Sequence, residues 1–236
     1  MSAWKAKRFW KQASVAEAEA GYTITLDGRP VHTPMKTVLV VPTRALALAI
    51  AEEWEAQEDA INPETMPLTR AANSAQEKVA PHLDAVRDML AEYGDTDLIC
   101  YRAEGPEALI ARQSEAWDPL LAWAAEAYGA RLIPVTGVMY HAQLPEARAK
   151  LRAALDGMDP FRLTGVHDLI TISGSLILGL AVADRHLRAA DAWSLARIDE
   201  AWQEEQWGED SEAQDAATRK RADFLRAERL LDLLEG

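Results

Sequence analysis

Cysteine is nearly missing from this sequence: Cys100 is alone among 236 residues. No internal disulfide can form, which suits a reducing compartment. Positive charge is also scarce, with 25 basic against 38 acidic residues and a formal net charge of −13. Such a balance favours solubility and argues against a nucleic-acid backbone or an anionic membrane as the main ligand. The densest basic run, Arg219-Lys220-Arg221, is soon followed by Asp223 and Glu228. Long apolar runs are absent too. The longest uncharged stretch, residues 169–183, has 15 residues, whereas a spanning helix needs about 20. It reads as a buried core helix, and no membrane insertion is expected. The N-terminal Met-Ser-Ala-Trp-Lys-Ala-Lys-Arg is basic but has no apolar run behind it, so it is not a secretory signal.

Motifs for chemistry are missing as well. The five histidines (His32, His82, His141, His167 and His186) are scattered, and none sits in a His-Glu-x-x-His zinc motif. There is no Gly-x-Gly-x-x-Gly fingerprint and no phosphate loop ending in Gly-Lys-Ser/Thr. Ser173-Gly174-Ser175 lacks the flanking glycines of a nucleophile elbow. It reads instead as small residues permitting close helix contact, with Ser175, Gly179 and Ala183 along one side. His167-Asp168 and Asp184-x-His186 read as neighbours of the ends of one core helix. Asp95 and Asp97 follow Gly94 and read as caps of a new segment. Cys100, in the apolar run Leu98-Ile99-Cys100, reads as a buried, inert thiol. No catalytic residue, metal ligand or cofactor is expected, and the chain reads as a non-enzyme.

What is present is a globular composition, 49% apolar and 27% charged. Tyr22, Ile24 and Leu26 alternate with Thr23 and Thr25, and Asp27-Gly28 follows directly. That pattern predicts a type I′ hairpin with a return strand over 29–33, kept short by Pro30 and Pro34. Further strands are expected near 8–14 and over 38–41. Thr43 caps a helix to about residue 59, with Leu46, Ile50 and Trp54 as its apolar stripe. A proline-containing loop over 61–68 marks a junction. Helices are predicted over 69–80, 81–93, 106–128, 145–155, 166–187, 192–206 and 213–234, with 132–139 an extended connector. Pro81, Pro106 and Pro145 open helices, where a missing N–H is tolerated. The expected fold is α+β: a small β-rich domain with one helix (residues 1–65) followed by a larger α-helical domain (residues 66–236).

Two features remain. Eight tryptophans are many for this length. Trp54, Trp202 and Gly28 read as structural, the first two on apolar stripes and the glycine in its turn. Acidity concentrates over residues 189–217, which hold nine acids and a single base, Arg197. In the helix over 192–206, Leu195, Ile198 and Trp202 form the stripe expected to be buried. Trp193 falls opposite, beside Arg197, Glu200 and Glu204. It is either an aromatic anchor for a partner or is covered by the C-terminal helix with Phe224, Ala227, Leu231 and Leu234.

Four segments, in order, resemble one family. They are Leu26-Asp-Gly-Arg-Pro-Val-His-Thr-Pro34; Glu53-Trp-Glu-Ala-Gln57 with residues 61–69; Asp95-Thr-Asp-Leu-Ile-Cys-Tyr-Arg102; and Arg197-Ile-Asp-Glu-Ala-Trp-Gln203 followed by Trp207-Gly208. Together they span about residues 8–210 and resemble the assembly chaperones for the α subunit of the F-type ATP synthase catalytic head. The resemblance implies a small β-rich domain joined to a larger helical one. It implies a non-enzymatic protein that holds the free α subunit and shields the surface destined for the β subunit. The free chain is expected to be a monomer. Without a Ser/Arg-rich transit segment before the first strand, a bacterial cytoplasmic member is expected, or a matrix protein if the chain is a processed eukaryotic one. Family members often open the helix before the Trp-Gly motif with two acids; here Ala190-Asp191 leaves only Asp191. The expected partner-binding residues are Asp191, Trp193, Arg197, Glu200 and Glu204. The extension after Asp210 matches poorly. Two rivals are a hydrolase using Asp95 and Asp97 and a permanent structural subunit of a complex.

Overall fold

A computed structural model describes residues 7–208 and 210–236; most of the basic N-terminal segment, and Glu209 of the acidic run, lie outside the described residues. Strand β1 (Ala13–Ala18) pairs antiparallel with β2 (Gly21–Leu26), from Ala13 opposite Leu26 to Ala18 opposite Gly21. At Asp27-Gly28 the chain turns in two residues, both at positive φ (48° and 80°), so that Leu26 faces Arg29. Two positive φ values define the type I′ turn. No heavy atom lies within 4 Å of a Cβ built on Gly28, so backbone conformation rather than space calls for glycine there. The Asp27 carboxylate accepts from Lys11 N (3.1 Å) and Gln12 N (3.0 Å), and these two bonds hold it below the usual carboxylate range.

β3 (Arg29–Pro30) is only two residues long, and β4 (Val40–Val41) also pairs with β2. The strand expected near 8–14 lies at 13–18 because residues 8–12 are held otherwise. The Arg8 guanidinium bonds the carbonyls of Trp10, Lys11, Glu55 and Gln57. Those carbonyls are saturated by a side chain rather than by a ladder.

Helix α1 (Arg44–Glu55) is capped by Thr43, whose hydroxyl accepts from Leu46 N at 3.2 Å. Leu46, Ala47 and Ile50 are buried in one cluster with Ile24, Leu26, Leu39 and Val41. Trp54 is half-buried against this cluster and meets Trp10 edge-on at 5.3 Å. α1 stops at Glu55 rather than 59, and the Gln57 amide turns back on Glu53 O (3.0 Å) while accepting from Asn62 N (2.7 Å). The Glu53 carboxylate caps α2 (Pro67–Ser74), accepting from Leu68 N (2.7 Å), Thr69 N (2.8 Å) and the Thr69 hydroxyl (2.7 Å). Residues 53–57 and 61–69 therefore brace each other.

The chain divides into two compact units. The first takes residues up to Leu83 together with Asp159–Gly165 and Arg229–Gly236; the second takes Asp84–Met158 and Val166–Glu228. The junction expected at 65/66 falls inside the first unit. There the chain returns late: Leu230 joins the α1 core, and the Thr43 hydroxyl donates to Leu233 O at 2.6 Å.

The second unit is helical: α3 (Leu83–Ala91, its first residue in the other unit), α4 (Glu107–Ala127), α5 (Pro145–Ala154), most of α6 (Pro160–Ser173), α7 (Leu176–Ala183), α8 (Ala189–Ala196), α9 (Ile198–Trp207) and most of α10 (Ser211–Leu234). A parallel two-residue ladder joins β5 (Tyr101–Arg102) to β6 (Val135–Thr136), the latter inside the segment expected to be an extended connector. Trp117, Leu151, Leu169, Ile170, Leu178 and Phe224 are buried. Among the described residues no helix is long and apolar enough to cross a membrane.

The single helix expected over 166–187 is two. Ser175 caps α7 instead of continuing α6, its hydroxyl accepting from Leu178 N at 3.0 Å. α7 then lies so close to α6 that a Cβ on Gly179 would sit 2.5 Å from Ile170 Cγ1. Close contact thus rests on Gly179, and Ser175 serves as a cap. Asp97, wholly buried, fixes the break. Its oxygens accept from Ile99 N (3.2 Å) and Ile177 N (3.0 Å), and the Ser175 hydroxyl bonds it too. Burial pushes its carboxyl up to about 6 from 3.8, against the pull of those donors.

A raised carboxyl pKa means that the folded state binds the extra proton between about pH 4 and 6, so this group's contribution favours folding below 3.8 and is lost as pH rises through about 6. Asp97→Asn removes the titration. Its stability deficit relative to wild type should narrow as pH rises across that window, by at most about 1.4 kcal/mol per pH unit. Urea unfolding at several pH values measures the gap, and a gap independent of pH would place the Asp97 pKa at its ordinary value.

Candidate functional site

Segment 95–103 builds the frame of the second unit. Asp95 accepts from the Tyr140 hydroxyl (2.7 Å) and Gln143 N (2.9 Å), while Asp97 points inward to α7. The two carboxylates serve different donors, and Asp97 has no exposure with which to meet a substrate. Burial, with Asp97 near by, pushes the Cys100 thiol well above its ordinary range, as an inert thiol requires. Arg102 is buried, donates to Asp118 (2.7 Å) and Gln113 O (3.3 Å), and lies over the Trp117 ring at 5.0 Å.

Helices α8 and α9 are fastened to α4 by three contacts. Trp117 Nε1 donates to Leu195 O at 2.9 Å, taking a carbonyl that a continuous helix would use four residues on. The helix expected over 192–206 accordingly breaks at Arg197. The Gln113 amide, buried, donates to Asp199 at 2.6 Å, and Arg112 Nη1 donates to both oxygens of Glu205 (2.8 and 2.9 Å).

Four of the five candidate partner residues come together here. Arg197 reaches Glu204 (3.3 Å) and Glu200 (3.6 Å), and its guanidinium lies 5.4 Å from the Trp193 ring centre. Asp191 stands apart, exposed in the first turn of α8. Trp193 is not an open anchor. It is 8% exposed and packs against Phe224 of α10 at 5.9 Å, so the covered alternative holds. The break at Arg197 is the cause, because a continuous helix would carry Trp193 to the opposite face. Of the stripe expected to be buried, Ile198 is buried while Leu195 and Trp202 are half-buried.

Much of the acidity is spent within the fold. Asp199, Glu200, Glu204 and Glu205 have the partners just named, and Asp210 caps α10 through Glu212 N (2.9 Å). The exposed aromatic of this face is Trp207, at 79%, where α9 ends. Its place after the acids Glu204 and Glu205 was a visible signal; its exposure was not. Gln113 carried no signal at all, since its partner Asp199 lies 86 residues away. The histidine–acid pairs do not converge: His167 Nδ1 lies 3.0 Å from Asp168 on α6, whereas His186 stacks on Trp123 at 4.7 Å.

Burial makes Trp193 a stability residue. Trp193→Ala should cost on the order of 3–5 kcal/mol, read as a lowered midpoint in thermal or urea unfolding. A variant that melts like wild type would contradict its place in the core.

Comparison with known proteins fits this architecture. The model of the family described as ATP12 chaperone protein matches residues 7–125. The mitochondrial protein atp12 of Schizosaccharomyces pombe is 25% identical over 215 residues, covering 86% of this chain and 74% of that protein. The crystal structure of Atp12 from Paracoccus denitrificans is 51% identical, covers 97% of this chain and 98% of its own, and superposes with a TM-score of 0.94. A mutant of the Paracoccus protein superposes equally well, at 0.94. The chain belongs to the ATP12 chaperone family, the chaperones of ATP synthase assembly.

Proposed function

We propose that this protein acts without catalysis, binding the free α subunit of the ATP synthase catalytic head and shielding its subunit interface until assembly. A ring subunit without its neighbours exposes apolar surface that would otherwise aggregate. Masking it takes area and reversibility, not a reactive pocket. The observation that carries the reading is the outer face of α8–α9. Asp191 and Glu200 are exposed, Trp207 stands 79% exposed beyond them, and the whole element is fixed to α4 by the Gln113, Arg112 and Trp117 contacts. An exposed acid on each helix, Asp191 on α8 and Glu200 on α9, with an exposed tryptophan where α9 ends, combines electrostatic steering with a hot-spot side chain. Arg197 and Glu204 maintain the face from within, through their mutual ion pair and the Trp193 ring.

Charge reversal at Asp191 and Glu200 to lysine should weaken capture of purified α subunit, mainly by slowing association, and leave the residual binding less sensitive to salt. Trp207→Ala should raise the dissociation rate roughly tenfold. Both variants should keep the wild-type melting curve, since the altered side chains are exposed. A binding titration at two salt concentrations, run beside thermal melts, decides it. Unchanged affinity in folded variants would remove this face from the interface, and no binding by wild type would overturn the choice of client.

A further inference from the structure

Glu228 is an acid at a position where α10 calls for an apolar residue. Phe224, Ala227 and Leu231 are buried along one stripe of that helix, and Glu228 falls inside the stripe at 7% exposure. Charged side chains are rarely buried unless they are paired. A buried, paired carboxylate adds little stability over an apolar residue of similar volume. Its use lies in what it holds.

What it holds is the start of α8, in the same compact unit. Glu228 Oε1 accepts from Ala189 N at 3.0 Å, in a buried bond, and pairs with Arg188 Nε at 3.2 Å. α8 has no cap of its own. Arg188 occupies the N-cap position with extended backbone, and its side chain offers only donors. Glu228 supplies, from 39 residues away, the acceptor that Ser, Thr, Asp or Asn would supply locally. Its charge also faces the positive end of the helix.

The fastening point lies two residues before Asp191. One turn further on, Trp193 packs against Phe224 of α10 at 5.9 Å. Residues 189 and 193 of α8 thus meet residues 228 and 224 of α10. Two contacts one turn apart set the rotation of a helix about its axis. With Ala189, Ala192, Trp193 and Ala196 buried, Ala190, Asp191 and Ser194 are left exposed. Without the first contact, the opening turn that carries Asp191 loses its fixed direction, while Trp193 still holds the second turn.

We propose that Glu228 is a positioning residue for client capture, acting through α8 to fix the direction in which Asp191 meets the α subunit. The proposal rests on the α8–α9 reading above. It adds to that reading a buried residue that does not itself touch the client.

The test is a double-mutant cycle with the full chain and purified α subunit. Glu228→Met keeps the volume and removes the acceptor, and should weaken capture roughly fivefold, the order expected of coupled neighbours. Glu228→Gln, which keeps an oxygen for Ala189 N, should recover most of that loss. In an Asp191→Ala background, Glu228→Met should weaken capture by less than about twofold further. A merely structural loss would appear equally in both backgrounds. Thermal melts show whether each variant is folded at the temperature of the titration. Should Glu228→Met not be, Glu228→Asp, whose carboxylate is one methylene short of Ala189 N, takes its place in the cycle. Wild-type affinity in the folded variant, an equal loss in both backgrounds, or Glu228→Gln as weak as Glu228→Met would overturn the proposal and leave the α8–α9 reading standing. Wild-type affinity in Asp191→Ala alone would overturn the role of Asp191, and failure of wild type to bind would overturn the choice of client; this proposal falls with either.

Discussion

A carboxylate with no access to water organises the helical unit. Asp97 accepts from Ile99 N on its own segment and from Ile177 N across the fold, so it joins the chain leading into β5 to the first turn of α7. An unmatched charge there would be costly, and the convergent donors are what make the position tenable. Its neighbours extend the frame in two directions. Asp95 holds the 133–144 loop, and Arg102 and Ala103 hold α4 and, through Gln113, α9. The α8–α9 face is tied to this segment through Gln113, which bonds both Ala103 and Asp199.

That arrangement separates stability from recognition. The arginines and acids that face one another, Arg102 with Asp118, Arg112 with Glu205 and Arg197 with Glu204, fix helix positions. The exposed Arg112–Glu205 pair contributes little net stability; what all three supply is geometry. Among the groups left outward in the second unit are Asp191, Glu200 and Trp207. Such a surface suits a chaperone, which must bind an aggregation-prone subunit and later give it up. A rigid site lowers the ordering cost of capture, and partly neutralised acids keep the attraction moderate.

Local chemistry was legible in the sequence and long-range chemistry was not. Asp27-Gly28 announced its turn because both residues tolerate positive φ, and Thr43 announced α1 because a cap acts within three residues. The α+β layout followed from where alternation gives way to helical spacing. The breaks at Ser175 and Arg197 escaped, since each depends on a distant group: Asp97 for the first, Trp117 for the second. With the second break went the facing of Trp193, which a straight helical wheel places outward. The return of residues 229–236 to the first unit and the Gln113–Asp199 bond leave no periodic trace either.

The central claim is that the client meets the second unit through the exposed residues of α8–α9. Hydrogen exchange of the chain with and without saturating α subunit tests it most directly, because it reads every segment at once. The account predicts added protection in peptides covering residues 189–208, with β1, β2 and α1 unchanged. Protection confined to the first unit, or absent from residues 189–208 in a complex shown to be saturated, would contradict it.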